Sequence, residues 1–289
     1  METGCKKDIA VFHRTFSAMG TRLDLVFWGI EESFAQTVFQ EIFDEVHRLD
    51  ALLSRFNENS AISQINKNAG ICEQEVDIEV FELLSECKHY YTMTDGLFDI
   101  TAASLQSANP SSLDLPGNNH GKYEQSRKKE EGVKALDALQ MKEDDCSVFL
   151  GQKNLQIDMG GIGKGLALDY IREILWEEGI ENAFVSFGES SILGLGSHPA
   201  GQGWKTGISH LFEPEKTVYH FLLQDKVLST SGHTPFHPNH IIHPFKGTLE
   251  GNYRTLTVLS HSAIEAEVLS TALLIADKQE RTFILHSFP

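Results

Sequence analysis

Between Ile157 and Tyr170 the chain runs Ile-Asp-Met-Gly-Gly-Ile-Gly-Lys-Gly-Leu-Ala-Leu-Asp-Tyr, with glycine at 160, 161, 163 and 165. Glycine backbone reaches positive φ and admits close approach by another group, because no Cβ intervenes. Asn154–Ile157, just ahead, is expected as a short strand. Behind the glycines, Leu166, Ala167, Tyr170, Ile171, Ile174 and Leu175 recur at helical spacing. A strand, a glycine turn and a helix N-terminus gather backbone N–H groups around an anion. Glycines alone fit a tight structural turn equally well. Asp158 and Lys164 within the stretch favour a ligand site.

The familiar phosphate motifs do not fit. A P-loop needs Gly, four residues and Gly-Lys-Ser/Thr; here Lys164 is followed by Gly165, and Asp158 stands where the first glycine belongs. The dinucleotide fingerprint fails because Leu166 takes its last position.

A net charge of −17, from 24 basic and 41 acidic residues, excludes a typical nucleic-acid binder, which needs a basic surface. A bound polyphosphate therefore requires local positive charge or a metal. The four cysteines (Cys5, Cys72, Cys87, Cys146) form no CxxC pair and are expected as reduced thiols. No signal peptide is visible, and no apolar run reaches the roughly 18 residues that span a bilayer. As written, the chain is expected to be cytoplasmic and not inserted in a membrane; a removed leader would make it periplasmic or membrane-anchored.

Phe12–Phe27 is expected as paired strands around Ala18-Met19-Gly20-Thr21. Glu31–Leu53 repeats Phe34, Val38, Phe39, Ile42, Phe43, Val46 and Leu49 as an amphipathic helix. Ser60–Asn66 suggests a turn of helix, and Asp77–Thr92 a second long helix. Residues 106–132, rich in Ser, Asn, Pro, Gly and charge, read as a flexible insertion. Further strands are expected over Asn182–Leu195 (broken by Gly188), Gly203–Gln224 and Thr255–Leu259, with a helix over Ala263–Asp277; Val227–Gly232 leads into the Pro- and His-rich residues 233–247.

Six stretches, in order and at matching spacing, carry a resemblance. They are Met19-Gly20-Thr21, Ser54-Arg55-Phe56-Asn57, Thr94–Asp99, the central Asp158–Asp169, Ser229-Thr230-Ser231-Gly232 with His240-Ile241-Ile242-His243-Pro244, and Glu267–Ala272. Together they resemble the ApbE family, the FAD:protein FMN transferases, over most of the chain. The resemblance implies an α+β fold, with mixed and antiparallel β-sheets flanked by helices in a single compact unit over residues 10–289. It also implies a flavin transferase that moves the FMN part of FAD onto a threonine hydroxyl of an acceptor flavoprotein, releasing AMP, with Mg²⁺ on the pyrophosphate. Acceptors in the family are frequently membrane electron-transfer subunits.

Carried over residue by residue, the resemblance assigns the metal to Glu267, Thr271 and the Gly161 carbonyl. It assigns FAD to Met19, Phe56, the Leu97, Phe98 and Asp99 turn, Asp158, Lys164 and Ile242. His240 is the expected acid/base, since imidazole titrates near neutrality. Read without the family, Glu267 and Thr271 share a helix face that is ordinarily solvated, Met19, Phe56 and Ile242 fit a plain core, and Asp99 fits a turn cap. Family members commonly carry Asp at the positions of Glu267, His243 and His233, which leaves two alternatives: an FAD pyrophosphatase giving FMN and AMP, or a non-catalytic FAD-binding protein. His233, His237, His240 and His243 also form a dense group. Without helical spacing to fix the rings, exposed loop histidines are favoured over a transition-metal site.

Overall fold

A computed structural model describes residues 10–104, 135–236, 241–248 and 253–288. In chain order it contains β1 (Val11–Ala18), β2 (Thr21–Trp28), α1 (Glu32–Leu53), α2 (Ala61–Lys67), β3 (Gln74–Glu75), α3 (Ile78–Met93), β4 (Leu139–Lys142) and β5 (Ser147–Leu150). Then follow α4 (Gly163–Glu177), β6 (Ala183–Phe187), β7 (Ser191–Leu195), β8 (Trp204–Ser209), β9 (Thr217–Leu223) and β10 (Lys226–His233). β11 (Ile242–His243), β12 (Gly247–Thr248), β13 (Arg254–Ser260), α5 (Ala263–Ile275) and α6 (Lys278–Ser287) complete the set. This is the expected α+β class. The insertion expected over 106–132 lies outside the described residues.

The chain groups into two compact units. The first holds residues 1–51, 160–238 and 252–274. Its six-stranded sheet runs β1-β2-β6-β7-β10-β13, every neighbouring pair antiparallel. Leu23, Leu25 and Phe27 alternate along β2 and are fully buried, while Val38, Ile42, Val46 and Leu49 form the buried stripe of α1. A separate hairpin, β8–β9, packs Trp204 and Leu223 with Ile192 and Leu228 of the main sheet.

The second unit holds residues 52–159, 239–251 and 275–289. It contains the three-stranded sheet β3-β5-β4 and the small β11–β12 pair. Val80, Leu84 and Cys87 of α3 are fully buried in it.

Asn154–Ile157 is not a strand. Asn154 turns the chain with φ +67°. The backbone beyond it is held by side chains: the Asn66 carboxamide accepts from Ile157 N–H (2.6 Å) and donates to Ile157 C=O (2.9 Å), and Ser104 Oγ accepts from Gln156 N–H (2.8 Å). With those groups satisfied, no neighbouring strand is required. α6 was not anticipated either. Its signal is Asp277-x-x-Glu280: Asp277 accepts from the Gln279 and Glu280 N–H groups while Glu280 accepts from Asp277 N–H, a reciprocal capping box.

Candidate active site

In the first unit, α4 opens at Gly163 directly after a 3₁₀ turn at Met159–Gly161, and its N-cap residue, Ile162, supplies no side-chain cap. The N–H groups of its first turn are thus left for another partner. Gly165 has a different duty. A Cβ there would stand 2.8 Å from the Ala263 carbonyl oxygen and 3.0 Å from Ile264 Cα, so only glycine lets α5 begin against the first turn of α4. One helical turn later, Asp169 accepts from the N–H groups of Ala263 and Ile264, both at 3.1 Å, and pairs with Arg172. It caps α5 from a neighbouring helix. Burial pushes the Asp169 carboxyl above the ordinary carboxylate range, against the opposing pull of the Ala263 and Ile264 N–H groups and Arg172.

Anchored there, α5 carries Glu267 to Lys164. The ammonium lies 3.2 Å from Oε1 and 3.4 Å from Oε2. Ser191 Oγ, on β7, donates to Oε1. Glu267 is 4% exposed, a buried carboxylate with a cation and a hydroxyl for partners. One turn further, Thr271 Oγ1 shares a 3.0 Å hydrogen bond with Ser231 Oγ. Ser231 and Ser229 of β10 bond Ser270 Oγ at 2.8 and 3.2 Å. Glu267 and Thr271 do share a helix face, and it meets strand hydroxyls rather than open solvent, with Glu267 buried and Thr271 half-buried.

Met19 and Gly20 close the β1–β2 hairpin with φ of +48° and +73°. The left-handed region disfavours a side chain, and Met19 is held there by its N–H bond to Asp50 Oδ2 at 2.8 Å. A Cβ on Gly163 would lie 3.8 Å from Met19 Sδ, so the thioether sits beside the first residue of α4.

In the second unit, Asp158 Oδ2 pairs with Arg55 Nε at 3.0 Å, and the Arg55 guanidinium lies 4.5 Å over the Phe56 ring. Phe56 is 81% exposed, so the plain-core alternative does not hold for it. Leu97 and Phe98 are buried, and their turn is organised by Thr94, whose Oγ1 donates to Tyr90 C=O (2.8 Å) and accepts from Phe98 N–H (3.0 Å). Asp99 Oδ1 accepts from the N–H and hydroxyl of Thr101 at 2.7 and 2.6 Å, the local turn-capping pattern. Ile242 is half-buried on β11.

The histidine group departs from expectation. His233 and His243 are buried, not loop-exposed: His233 ends β10 stacked on Tyr253 at 5.2 Å, and His243 Nδ1 accepts from Phe245 N–H at 3.3 Å. His237 and His240 lie outside the described residues. Among the described residues no three His, Cys, Asp or Glu side chains converge as a metal cluster.

The proposed ligands Gly161, Glu267 and Thr271 belong to the first unit with Met19 and Lys164, whereas Phe56, Leu97, Phe98, Asp99, Asp158 and Ile242 belong to the second. Sequence reasoning missed Asp50, Ser191 and the packing role of Gly165. Ser191 had no signal, being one of two adjacent serines after Gly188-Glu189.

The chain matches the ApbE family model over residues 19–288. It is 24% identical to the FAD:protein FMN transferase of Salmonella typhimurium, over 91% of this chain and 77% of that one. With the protein of the same name from Klebsiella pneumoniae it shares 25% identity, over 92% and 83%. The crystal structure of the ApbE protein from Thermotoga maritima superposes with a TM-score of 0.79 at 23% identity, covering 96% of this chain and 90% of the other. The flavin transferase ApbE from Vibrio cholerae gives a TM-score of 0.79 at 21% identity, covering 97% and 91%. With its sequence matched from the Met19 turn to the end of α6 and its fold shared with these structures, this chain belongs to the ApbE family.

Proposed function

We propose that the chain is an FAD:protein FMN transferase that uses Mg²⁺ and takes a threonine hydroxyl of an acceptor flavoprotein as the attacking group. The observation that carries this reading is the buried Glu267 carboxylate, facing Lys164 and followed one turn later by Thr271. A carboxylate, hydroxyls and the Gly161 carbonyl are hard oxygen donors, the set that suits Mg²⁺, and no sulfur or imidazole stands among them. Glu267, Thr271 and the Gly161 carbonyl would hold the ion. Bound there, Mg²⁺ would neutralise charge on the pyrophosphate of FAD.

This chain's own groups do the rest. The N–H groups opening α4, with Lys164 beside them, offer positive potential to the phosphates. Met19, Phe56, the Leu97–Asp99 turn, Asp158 and Ile242 are assigned to the remainder of FAD. The acceptor's threonine oxygen attacks the FMN-side phosphorus, the bond from that phosphorus to the bridging oxygen breaks, and AMP leaves with that oxygen. The threonine proton passes to a base, for which His240 is the candidate. Positioning and charge neutralisation account for most of the catalysis in such transfers.

The test is AMP release from FAD by the purified protein, with and without Mg²⁺ and with and without a threonine-bearing acceptor domain. Release that needs both, with flavin covalently on the acceptor, is the expected result. AMP released equally without acceptor would assign the chain to FAD hydrolysis, and bound FAD left intact would assign it to flavin binding alone.

A further inference from the structure

We infer that Ser191 is a positioning residue that orients the Glu267 carboxylate for the metal; this rests on the metal-dependent reading above. Ser191 is fully buried on β7, with Ser190 Oγ at 3.5 Å and the Glu267 carboxylate of α5 as hydroxyl partners. Its hydroxyl donates to Oε1 of Glu267 across 76 residues of sequence. A glutamate has one more rotatable bond than an aspartate, so a carboxylate on this longer arm needs an outside constraint to keep one orientation. Lys164 contacts both oxygens and selects neither. Ser191 contacts one, and so fixes which oxygen is committed and which, Oε2, is presented onward. Outer partners of this kind hold ligating carboxylates in register.

The strand pairing supplies a matched control. Ser191 of β7 stands directly opposite Ser229 of β10, and both are buried. Ser229, however, bonds Ser270 at 3.2 Å and not the carboxylate. Of this pair, direct contact with the Glu267 carboxylate belongs to Ser191 and not to Ser229, whereas a role in packing the sheet against α5 would be shared by both.

The experiment is calorimetric titration of the full chain with Mg²⁺, alone and with FAD present, for wild type, Ser191→Ala and Ser229→Ala, alongside thermal unfolding of each. Ser191→Ala should weaken Mg²⁺ binding by about tenfold, with Ser229→Ala within about twofold of wild type. Ser191→Thr, which keeps the hydroxyl, should recover affinity relative to Ser191→Ala. Wild-type affinity in Ser191→Ala, or equal weakening in both alanine variants, would overturn the assignment while leaving the metal site standing. Failure of the wild type itself to bind Mg²⁺, alone or with FAD, would instead overturn the metal reading and this inference with it.

Discussion

The Lys164 ammonium lies 3.2 Å from Oε1 of Glu267, joining the first turn of α4 to the second turn of α5 across 103 residues of sequence. The glutamate side chain is 5% exposed and the lysine 22%, so the pair is held largely out of water. A buried carboxylate deprived of its cation keeps its desolvation cost and loses the compensating attraction. Lys164→Met should therefore destabilise the protein by about 3 kcal/mol, and Mg²⁺ should restore part of that loss. Urea unfolding with and without Mg²⁺ measures both effects. An unchanged midpoint would show the pair to be energetically idle.

Gly165→Ala tests the close approach of the two helices. The added methyl would meet the backbone of Ala263 and Ile264, which cannot rotate away. A loss of about 1–3 kcal/mol is expected, together with weaker Mg²⁺ binding, because α5 carries Glu267 and Thr271. Stability lost with metal affinity intact would separate the packing from the site.

Asp169 should leave a pH signature. Its folded carboxyl is raised above the ordinary value by burial, so the folded protein binds the proton more tightly than the unfolded chain does. That contribution is fully present below the unfolded value, about 3.9, and is lost as pH rises through the raised folded value. Compared with Asp169→Asn, which does not titrate, the wild type should gain relative stability as the pH is lowered from neutrality towards about 4. Denaturation of the two proteins across that range reads the slope, and a slope of opposite sign would contradict it.

The cysteines should sort by burial. Cys72 is exposed, whereas Cys87 is fully buried and its thiol is pushed well up, first by burial and then by Glu86. Only thiolate reacts readily. Alkylation followed by peptide mapping should label Cys72 in the native protein and Cys87 only on unfolding. Native labelling of Cys87 at a comparable rate would mean that α3 opens locally.

Asp158 and the α5 pair should fail differently. Glu267→Gln or Thr271→Val should abolish metal-dependent turnover while FAD still binds; Asp158→Asn, which also releases Arg55 from its 3.0 Å partner, should weaken FAD itself. Flavin fluorescence titration beside AMP release distinguishes the two. Parallel loss of both activities in all three variants would refute this division.

Local elements were legible where a single window contained their cause. The apolar stripe of α1 and the helix after the glycines declare themselves at helical spacing. The β1–β2 hairpin is visible in its alternation, although not the left-handed Met19 that Asp50 stabilises from the end of α1. Asn154–Ile157 misled because its apolar residues resemble a strand, while Asn66 supplies the hydrogen bonds a strand would need. At Phe56 only the pattern-based alternative fails: an aromatic that fits a core by spacing stands exposed against Arg55.

By itself, the sequence determined the strand and helix periods, the glycine turn with its lysine, and the order of the motifs whose resemblance implied the α+β class. These depend on side chains a few positions apart, whose spacing sets which face they share. Only the tertiary structure decided that Gly165 serves helix contact, that Asp169 caps α5, and that Ser191 and Lys164 hold Glu267. Those partners are separated by 76 to 103 residues in sequence. They meet because antiparallel pairing places β7 beside β10, and because the absence of one Cβ lets α5 start against α4.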